Sequence, residues 1–279
     1  MILVVKMAQA LILQVVQSFQ LNELYQRVIL TGAGLERLPE NSAALHIKLF
    51  FKRPGQQQLS LHLLAKNRHQ RQTDQQNTLT DPLSDELKPS SRTYSIRHYD
   101  RANNLLTVDF VLHADPGIAC TWAKTALKGD QVGLAGPGPM RMCNLEARAF
   151  LLIGDASSLP AIMAVIDQLP LQAKVQVIIE LPKGHLPFID CKRVSNINWH
   201  WLEQTFTPQT VLLPLIKSLT LSLPETSVAI ASEHKTVLCL RQYFRSLCID
   251  KNYLYCVPYW RHRQDEETYH DARHRVMDS

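Results

Sequence analysis

Along the first half of the chain apolar residues recur as short runs and alternations, as in Tyr25 to Leu30, Leu45 to Phe51 and Leu59 to Leu64. That is the period-two signature of strands. Ser91-Arg92-Thr93-Tyr94-Ser95-Ile96-Arg97 continues the rhythm, Asp100-Arg101-Ala102-Asn103-Asn104 reads as a hairpin turn, and Leu105 to His113 reads as the strand that follows it. Between them the stretch from Asn67 to Ser91, rich in Gln, Thr, Asp and Pro, reads as a long surface loop. Gly117 then opens a helical run through Leu127. These elements predict a small antiparallel β-barrel capped by one helix.

After Gly136-Pro137-Gly138-Pro139 the pattern changes. Ala149 to Ile153 is a fully apolar strand ending in Gly154-Asp155-Ala156-Ser157-Ser158, and Leu159 to Leu169 follows with helical periodicity. Val175 to Leu181, Val228 to Ala231 and Tyr253 to Val257 read as further strands, with a helix over Lys235 to Cys248. Apolar strands alternating with helices predict a parallel sheet covered on both faces. The expected organisation is an antiparallel β-barrel domain over 1–145, an α/β parallel-sheet domain over 146–262 and a helical tail over 263–279.

Composition narrows the function classes. A chain of 279 residues suits two ordinary domains. Its net charge of +5 favours anionic ligands, but the basic residues are scattered and no run of five or six occurs, so nucleic acid is not needed to explain it. The six cysteines form no C-x-x-C pair, which suits free thiols in a reducing compartment. His270 and His274 share one helical face, yet no third ligand accompanies them and no metal site is expected. The opening Met1-Ile2-Leu3-Val4-Val5-Lys6 is apolar but lacks the charged region and cleavage site of a signal peptide, and no apolar run reaches membrane-spanning length. The cytoplasm is the expected compartment.

The candidate chemistry gathers around Arg92. Its guanidinium is a fixed fork of donors that matches phosphate oxygens. Tyr94 points to the same face of a strand and offers a ring to a flat ligand, and Ser95 adds a small polar group. Downstream, Asp109, Val111 and His113 lie on the next strand. Gly117, Ala119, Cys120 and Thr121 sit at the start of a helix, where free N–H groups bind anions. Together these residues read as a cradle for FAD. In the second half Gly154, Asp155, Ser157 and Pro160 lie at a strand's carboxyl end and the helix start beyond it, where ligands of parallel sheets bind. Glu180 ends the next strand, where an acidic group bonds ribose hydroxyls and repels a 2′-phosphate; an ordinary solvent-facing strand end is the alternative.

This plan resembles the ferredoxin–NADP reductase superfamily and, within it, the siderophore-interacting proteins. The residues that carry the resemblance are His46-Ile47-Lys48-Leu49-Phe50-Phe51, Arg92-Thr93-Tyr94-Ser95, Asp109-Phe110-Val111-Leu112-His113, Trp122-Ala123, Gly129-Asp130, Ala135-Gly136-Pro137, Gly154-Asp155 with Leu159-Pro160-Ala161-Ile162, and Tyr259-Trp260-Arg261. The run Asp265 to Arg273 is similar to the helical tail of one branch. Where the family carries an arginine after Gly-Pro, this chain has Gly138; where it carries Gly-Glu, this chain has Ser232-Glu233.

The resemblance implies a flavoenzyme that takes electrons from NADH, NADPH or a ferredoxin and passes them through FAD to a ferric siderophore. Ferrous ion binds the hard oxygen donors of a siderophore more weakly than ferric ion, so reduction loosens the chelate. No side chain is expected to act as nucleophile or metal ligand. Lys48 is implied as a substrate-binding cation, with Arg261 and Arg263 either joining it or serving as solvated charges. Trp260 either covers the flavin or closes the core of the second domain. Competing readings are a flavin reductase or electron-transfer component on the same scaffold, and a non-catalytic siderophore-binding protein.

Overall fold

The computed structural model describes residues 10–61, 88–113, 116–138, 141–192, 196–205, 207–264 and Tyr269. The apolar opening, most of the polar stretch after Asn67, the end of the Leu59 to Leu64 run and the tail beyond Gln264, Tyr269 excepted, lie outside the described residues. The chain divides into two compact units, Met1–Met140 and Arg141–Ser279.

The first unit is an antiparallel sheet rolled into a half-barrel. Its strands are β1 (Leu11–Gln20), β2 (Tyr25–Thr31), β3 (His46–Phe51), β4 (Ser90–Ser95), β5 (His98–Asp100), β6 (Leu105–Val111) and β7 (Gln131–Ala135), in spatial order β4-β3-β7-β1-β2-β6-β5. Alternation decides which residues enter the core. Val28 and Leu30 of β2, Ile47 and Leu49 of β3, Leu106, Val108 and Phe110 of β6 and Val132 and Leu134 of β7 are fully buried. Each such side chain contributes about 1.5–3 kcal/mol of burial. Helix α1 (Ile118–Thr125) closes this core with Ala119 and Ala123, while Trp122 packs on Phe51 and Phe110. Leu59 to Leu61 form loop and turn rather than strand. Their apolar side chains cover the sheet: a Cβ on Gly133 of β7 would meet Leu61 at 2.6 Å.

The second unit is a parallel sheet of β8 (Ala149–Asp155), β9 (Lys174–Leu181), β10 (Ile197–Glu203), β11 (Thr226–Glu233) and β12 (Leu254–Trp260), in order β10-β9-β8-β11-β12. Helix α2 (Leu159–Ile166) is apolar all round and buried at every position, as a crossover packed on one sheet face requires. Gly154 lets it approach, since a Cβ there would run into Ser158 and Ile162. The opposite face carries α3 (Leu212–Ser218) and α4 (His234–Ser246), whose Leu212, Ile216, Val237, Leu240 and Phe244 pack with Leu151, Ile153, Ile178, Val228 and Ile230.

Candidate functional site

In the first unit β4 lies at the sheet edge and, among the described residues, pairs only with β3. Arg92 is opposite Leu49 and Tyr94 opposite Ile47, both wholly buried, so Arg92 and Tyr94 share the inward face. The half-buried Tyr94 ring packs on Phe110 with centroids 4.4 Å apart, and Arg92 donates from Nη1 to the Ser91 carbonyl at 2.8 Å. Ser95 is opposite His46, and Thr93 is opposite Lys48. Ser95 therefore projects from the other face than Tyr94, together with Lys48.

Strand β6 supplies a second surface. The Leu112 N–H donates to the Leu24 carbonyl, while the Thr107 carbonyl accepts from the Arg97 N–H on the opposite side. A strand residue directs both backbone groups to one side and its neighbours direct theirs to the other. Asp109 and Val111 thus turn their N–H and C=O to the Thr107 side, beyond the point where β5 pairing ends, and no described residue bonds those groups. His113 lies two residues past the strand's end. The Asp109 carboxylate is not free for a ligand: both oxygens accept from Arg27, at 2.7 Å each, and the carboxylate is buried. What Asp109 offers is its main chain.

Helix α1 supplies the third surface. Thr121 N–H donates to the Gly117 carbonyl and so belongs to the helix ladder. The orphan donors are those of Ile118, Ala119 and Cys120, and none of them is bonded among the described residues. Thr121 thus has only its hydroxyl to offer, while Ile118, which the motif reading did not name, shares the unbonded N–H of Ala119 and Cys120. Gly117 has ordinary extended angles, φ −70° and ψ 175°, and a Cβ there would meet nothing within 4 Å. Its glycine answers to open space above the helix end rather than to backbone strain. An aromatic face, a guanidinium, an unpaired strand segment and a helix amino end fit a flat, diphosphate-bearing ligand such as FAD.

At the end of β7, Gly136 adopts φ +118° and Gly138 donates to the His46 carbonyl at 2.8 Å. A Cβ on Gly138 would collide with the His46 imidazole. The His46 imidazole fills the space beside position 138.

In the second unit the strand ends carry carboxylates. Asp155, at the tip of β8, accepts from the Ser157 N–H at 2.8 Å and hydroxyl at 2.5 Å through Oδ1. Through Oδ2 it accepts from the Ser232 hydroxyl at 2.7 Å and the Trp260 indole N–H at 2.9 Å. Glu180 stands opposite Asp155 in the β8–β9 register and is also buried. Burial first, and then the Asp155 charge, pushes the Glu180 carboxyl up to about 7. Glu233, buried at the tip of β11, accepts from the Lys235 N–H and from His262. Neighbouring His234 contacts the Tyr269 hydroxyl at 2.7 Å, and burial holds its imidazole below its ordinary value. Glu180 is thus a buried carboxyl and not the solvent-facing terminus that the sequence left open. Pro160, without an N–H, is buried in the first turn of α2. Arg261 is half-exposed and bridges to Gln264, while Arg263 is exposed. No group of three or more metal-ligating side chains occurs among the described residues.

The comparisons with known proteins follow this division. Residues 14–140 match the model of the siderophore-interacting FAD-binding domain, and residues 147–263 match that of the siderophore-interacting protein. The chain belongs to the siderophore-interacting protein family. The ferric vibriobactin reductase ViuB of Vibrio cholerae is 32% identical over 256 residues, which cover 90% of this chain and 89% of that one. The NADPH-dependent ferric-chelate reductase of Escherichia coli is 23% identical, covering 85% of this chain and 87% of its own length. Among solved structures, the siderophore-interacting protein SipS from Aeromonas hydrophila superposes with a TM-score of 0.79 at 29% identity, covering 97% of this chain and 99% of that chain. Members of this family carry their flavin in the half that corresponds here to the first unit.

Proposed function

We propose that this protein is an FAD-dependent reductase that releases iron from ferric siderophores, supplied with electrons by NADH, NADPH or a ferredoxin. The observation that carries the reading is the amino end of α1, with three N–H groups that no described residue bonds, in a domain that matches the siderophore-interacting FAD-binding domain. Bound FAD supplies the step between two-electron donors and one-electron acceptors. The chain's own residues bind, orient and attract. The N–H groups of Ile118, Ala119 and Cys120 hold the diphosphate with Arg92 and the Thr121 hydroxyl, Tyr94 offers its ring, and the outward main chain of Asp109 and Val111 pairs with a ligand edge, continued by His113. Ser95 lines the cradle from the opposite face of β4.

Lys48 and His46 lie on one face of β3 and attract an anionic ferric chelate; Arg261 and Arg263 add positive charge after Trp260. Gly154, Asp155, Ser157, Pro160 and Glu180 form the pyridine-nucleotide surface. Because the Glu180 carboxyl is lifted to about 7, it is largely protonated below neutrality and gives little repulsion to a 2′-phosphate there. Discrimination for NADH over NADPH should therefore sharpen as pH rises past 7. Cytoplasmic residence fits six cysteines that are all free, and no helix among the described residues is long and apolar enough to cross a membrane.

Anaerobic reoxidation tests this reading. Protein that purifies yellow, is reduced by NADH or NADPH and is reoxidised by ferric hydroxamate or catecholate chelates supports it. Colourless protein that takes up no FAD sinks it, and preference for free flavin over every chelate assigns it to flavin reduction instead.

A further inference from the structure

Strand β10 ends the parallel sheet and, among the described residues, is paired on one side alone, with β9. Two hydrogen bonds fix its polarity: the Val175 N–H donates to the Asn196 carbonyl, and the Gln204 N–H donates to the Leu181 carbonyl. Even-numbered residues of the strand therefore bond β9. Ile197, Trp199, Trp201 and Glu203 turn their backbone N–H and C=O outward. Those outward groups make no hydrogen bond among the described residues.

Exposed edges of this kind are normally blunted by lysine, proline, a bulge or short length. β10 has none of these devices: it runs seven residues in unbroken register and contains no Lys, Arg or Pro. On one face it carries Trp199 and Trp201, half-exposed and stacked with centroids 5.1 Å apart and planes 3° from parallel. The segments leading toward it expose apolar side chains as well. Leu171 is 69% exposed before β9, and Leu186 is 81% exposed in the connection from β9 to β10.

We propose that β10 is a dimerisation edge, and that its occupant is β10 of a second copy of this chain, added antiparallel about a twofold axis through His200. A twofold across a sheet edge always sets the two strands antiparallel. The register centred on His200 is the one that pairs all seven residues. It also places outward-turned residues opposite each other, Trp199 with the partner's Trp201 and Ile197 with the partner's Glu203, so ladder bonds form at each. His200 then faces its own copy at a non-hydrogen-bonded position. The indole pairs join into one cross-strand aromatic ladder, a favourable arrangement. Glu203, the charged residue of the strand, meets an isoleucine and not a like charge. This self-complementarity selects a second copy over an unrelated strand.

A small interface of this type associates in the micromolar range, about 1–100 µM. Sedimentation equilibrium of the full FAD-loaded chain should show a mass rising from 31.8 kDa toward twice that value with concentration. Trp201→Pro removes an outward N–H and no bond to β9, so it should leave the thermal midpoint near the parent's and shift the dimer constant at least ~10-fold weaker. His200→Cys, in a chain where exposed Cys248 is replaced by Ser, should form an interchain disulfide on mild oxidation, because facing Cα atoms at such positions lie about 4.5 Å apart. Trp199→Cys in the same chain should not. A single-chain mass throughout with no His200→Cys cross-link overturns the proposal. So does a dimer that withstands Trp201→Pro and fails to cross-link at 200, or an edge that captures only some other protein. If Trp201→Pro proves misfolded, the cross-link alone decides.

Discussion

At the start of α1 the N–H groups of Ile118, Ala119 and Cys120 make no hydrogen bond among the described residues, while at the start of α2 the chain's own carboxylate takes a neighbouring N–H. There the Asp155 carboxylate takes the Ser157 N–H, Pro160 has no N–H to give, and Glu180 and Glu233 add two more buried carboxyl groups at neighbouring strand ends. At the first of these helix ends no described carboxylate accepts from the leading N–H groups. A diphosphate approaching the second unit must contend with carboxylates. On the proposed reading, the first helix end holds the cofactor and the second meets a donor that binds weakly and leaves. An internal carboxylate at a helix start lowers anion affinity by the same electrostatics that raises it when the place is empty.

The comparison breaks most sharply at the two buried aspartates. Asp109 is held by the Arg27 guanidinium, whereas Asp155 is held by neutral donors, the hydroxyl groups of Ser157 and Ser232, the Ser157 N–H and the indole of Trp260. Removing Asp109 leaves a cation on a nearly buried site. Asp109→Ala should therefore destabilise the first unit by about 3–5 kcal/mol. Chemical denaturation should show an early transition with loss of flavin fluorescence quenching, and a single unchanged transition would refute the assignment.

Glu180 comes next in size. Its folded value of about 7 lies above its ordinary 4.5, so the native state binds more protons than the unfolded chain between those values. Stability must then fall as pH rises through that window and level off above it. Glu180→Gln removes the slope and should be more stable than the parent at pH 8 by up to about 3 kcal/mol, converging with it near pH 4. The depressed His234 works in the opposite direction, costing stability as pH falls below 6.5, but it is common to both proteins and cancels in the difference. Parallel stability curves for the two proteins across this range would sink the claim.

Arg92→Ala tests the open end directly. Loss of a charge-assisted phosphate contact costs about 1.5–3 kcal/mol, so FAD should bind roughly 10- to 100-fold more weakly with little change in apoprotein melting. Flavin fluorescence titration reads this. The same titration with Ser95→Ala should move less, because that side chain leaves the strand on the other face.

Why some of this was legible in the sequence and some not follows from the separation of the partners. The period-two rule that joins Arg92 to Tyr94 also puts Ser95 on the other face, so that detail was readable from local pattern. Which of the residues from Gly117 to Thr121 leave their N–H outside the helix ladder depends on where the first turn begins, which the sequence alone blurs. The Arg27–Asp109 pair spans 82 residues and emerges only from the β2–β6 register. The collision that keeps position 138 a glycine likewise depends on His46 from another strand. β10 went unread although Ile197, Trp199 and Trp201 alternate with Asn198 and His200, and α3 because Pro214 lies within seven residues that barely form two turns. Tertiary neighbours, not propensity, hold those two elements.

The smallest effect lies on the outer face of β3. Lys48 sits opposite Thr93 and beside His46, away from the core, and its proposed work is long-range attraction of an anionic chelate rather than contact chemistry. Lys48→Ala should then raise KM for an anionic ferric chelate by about 3- to 10-fold while kcat changes little, and the gap should close at high salt, where charges a Debye length apart no longer interact. A neutral ferric chelate should be indifferent to the substitution. Equal losses on both chelates, or a loss confined to kcat, would mean that Lys48 shapes the cradle instead of steering the substrate, and the cationic face would have to be sought at Arg261 and Arg263.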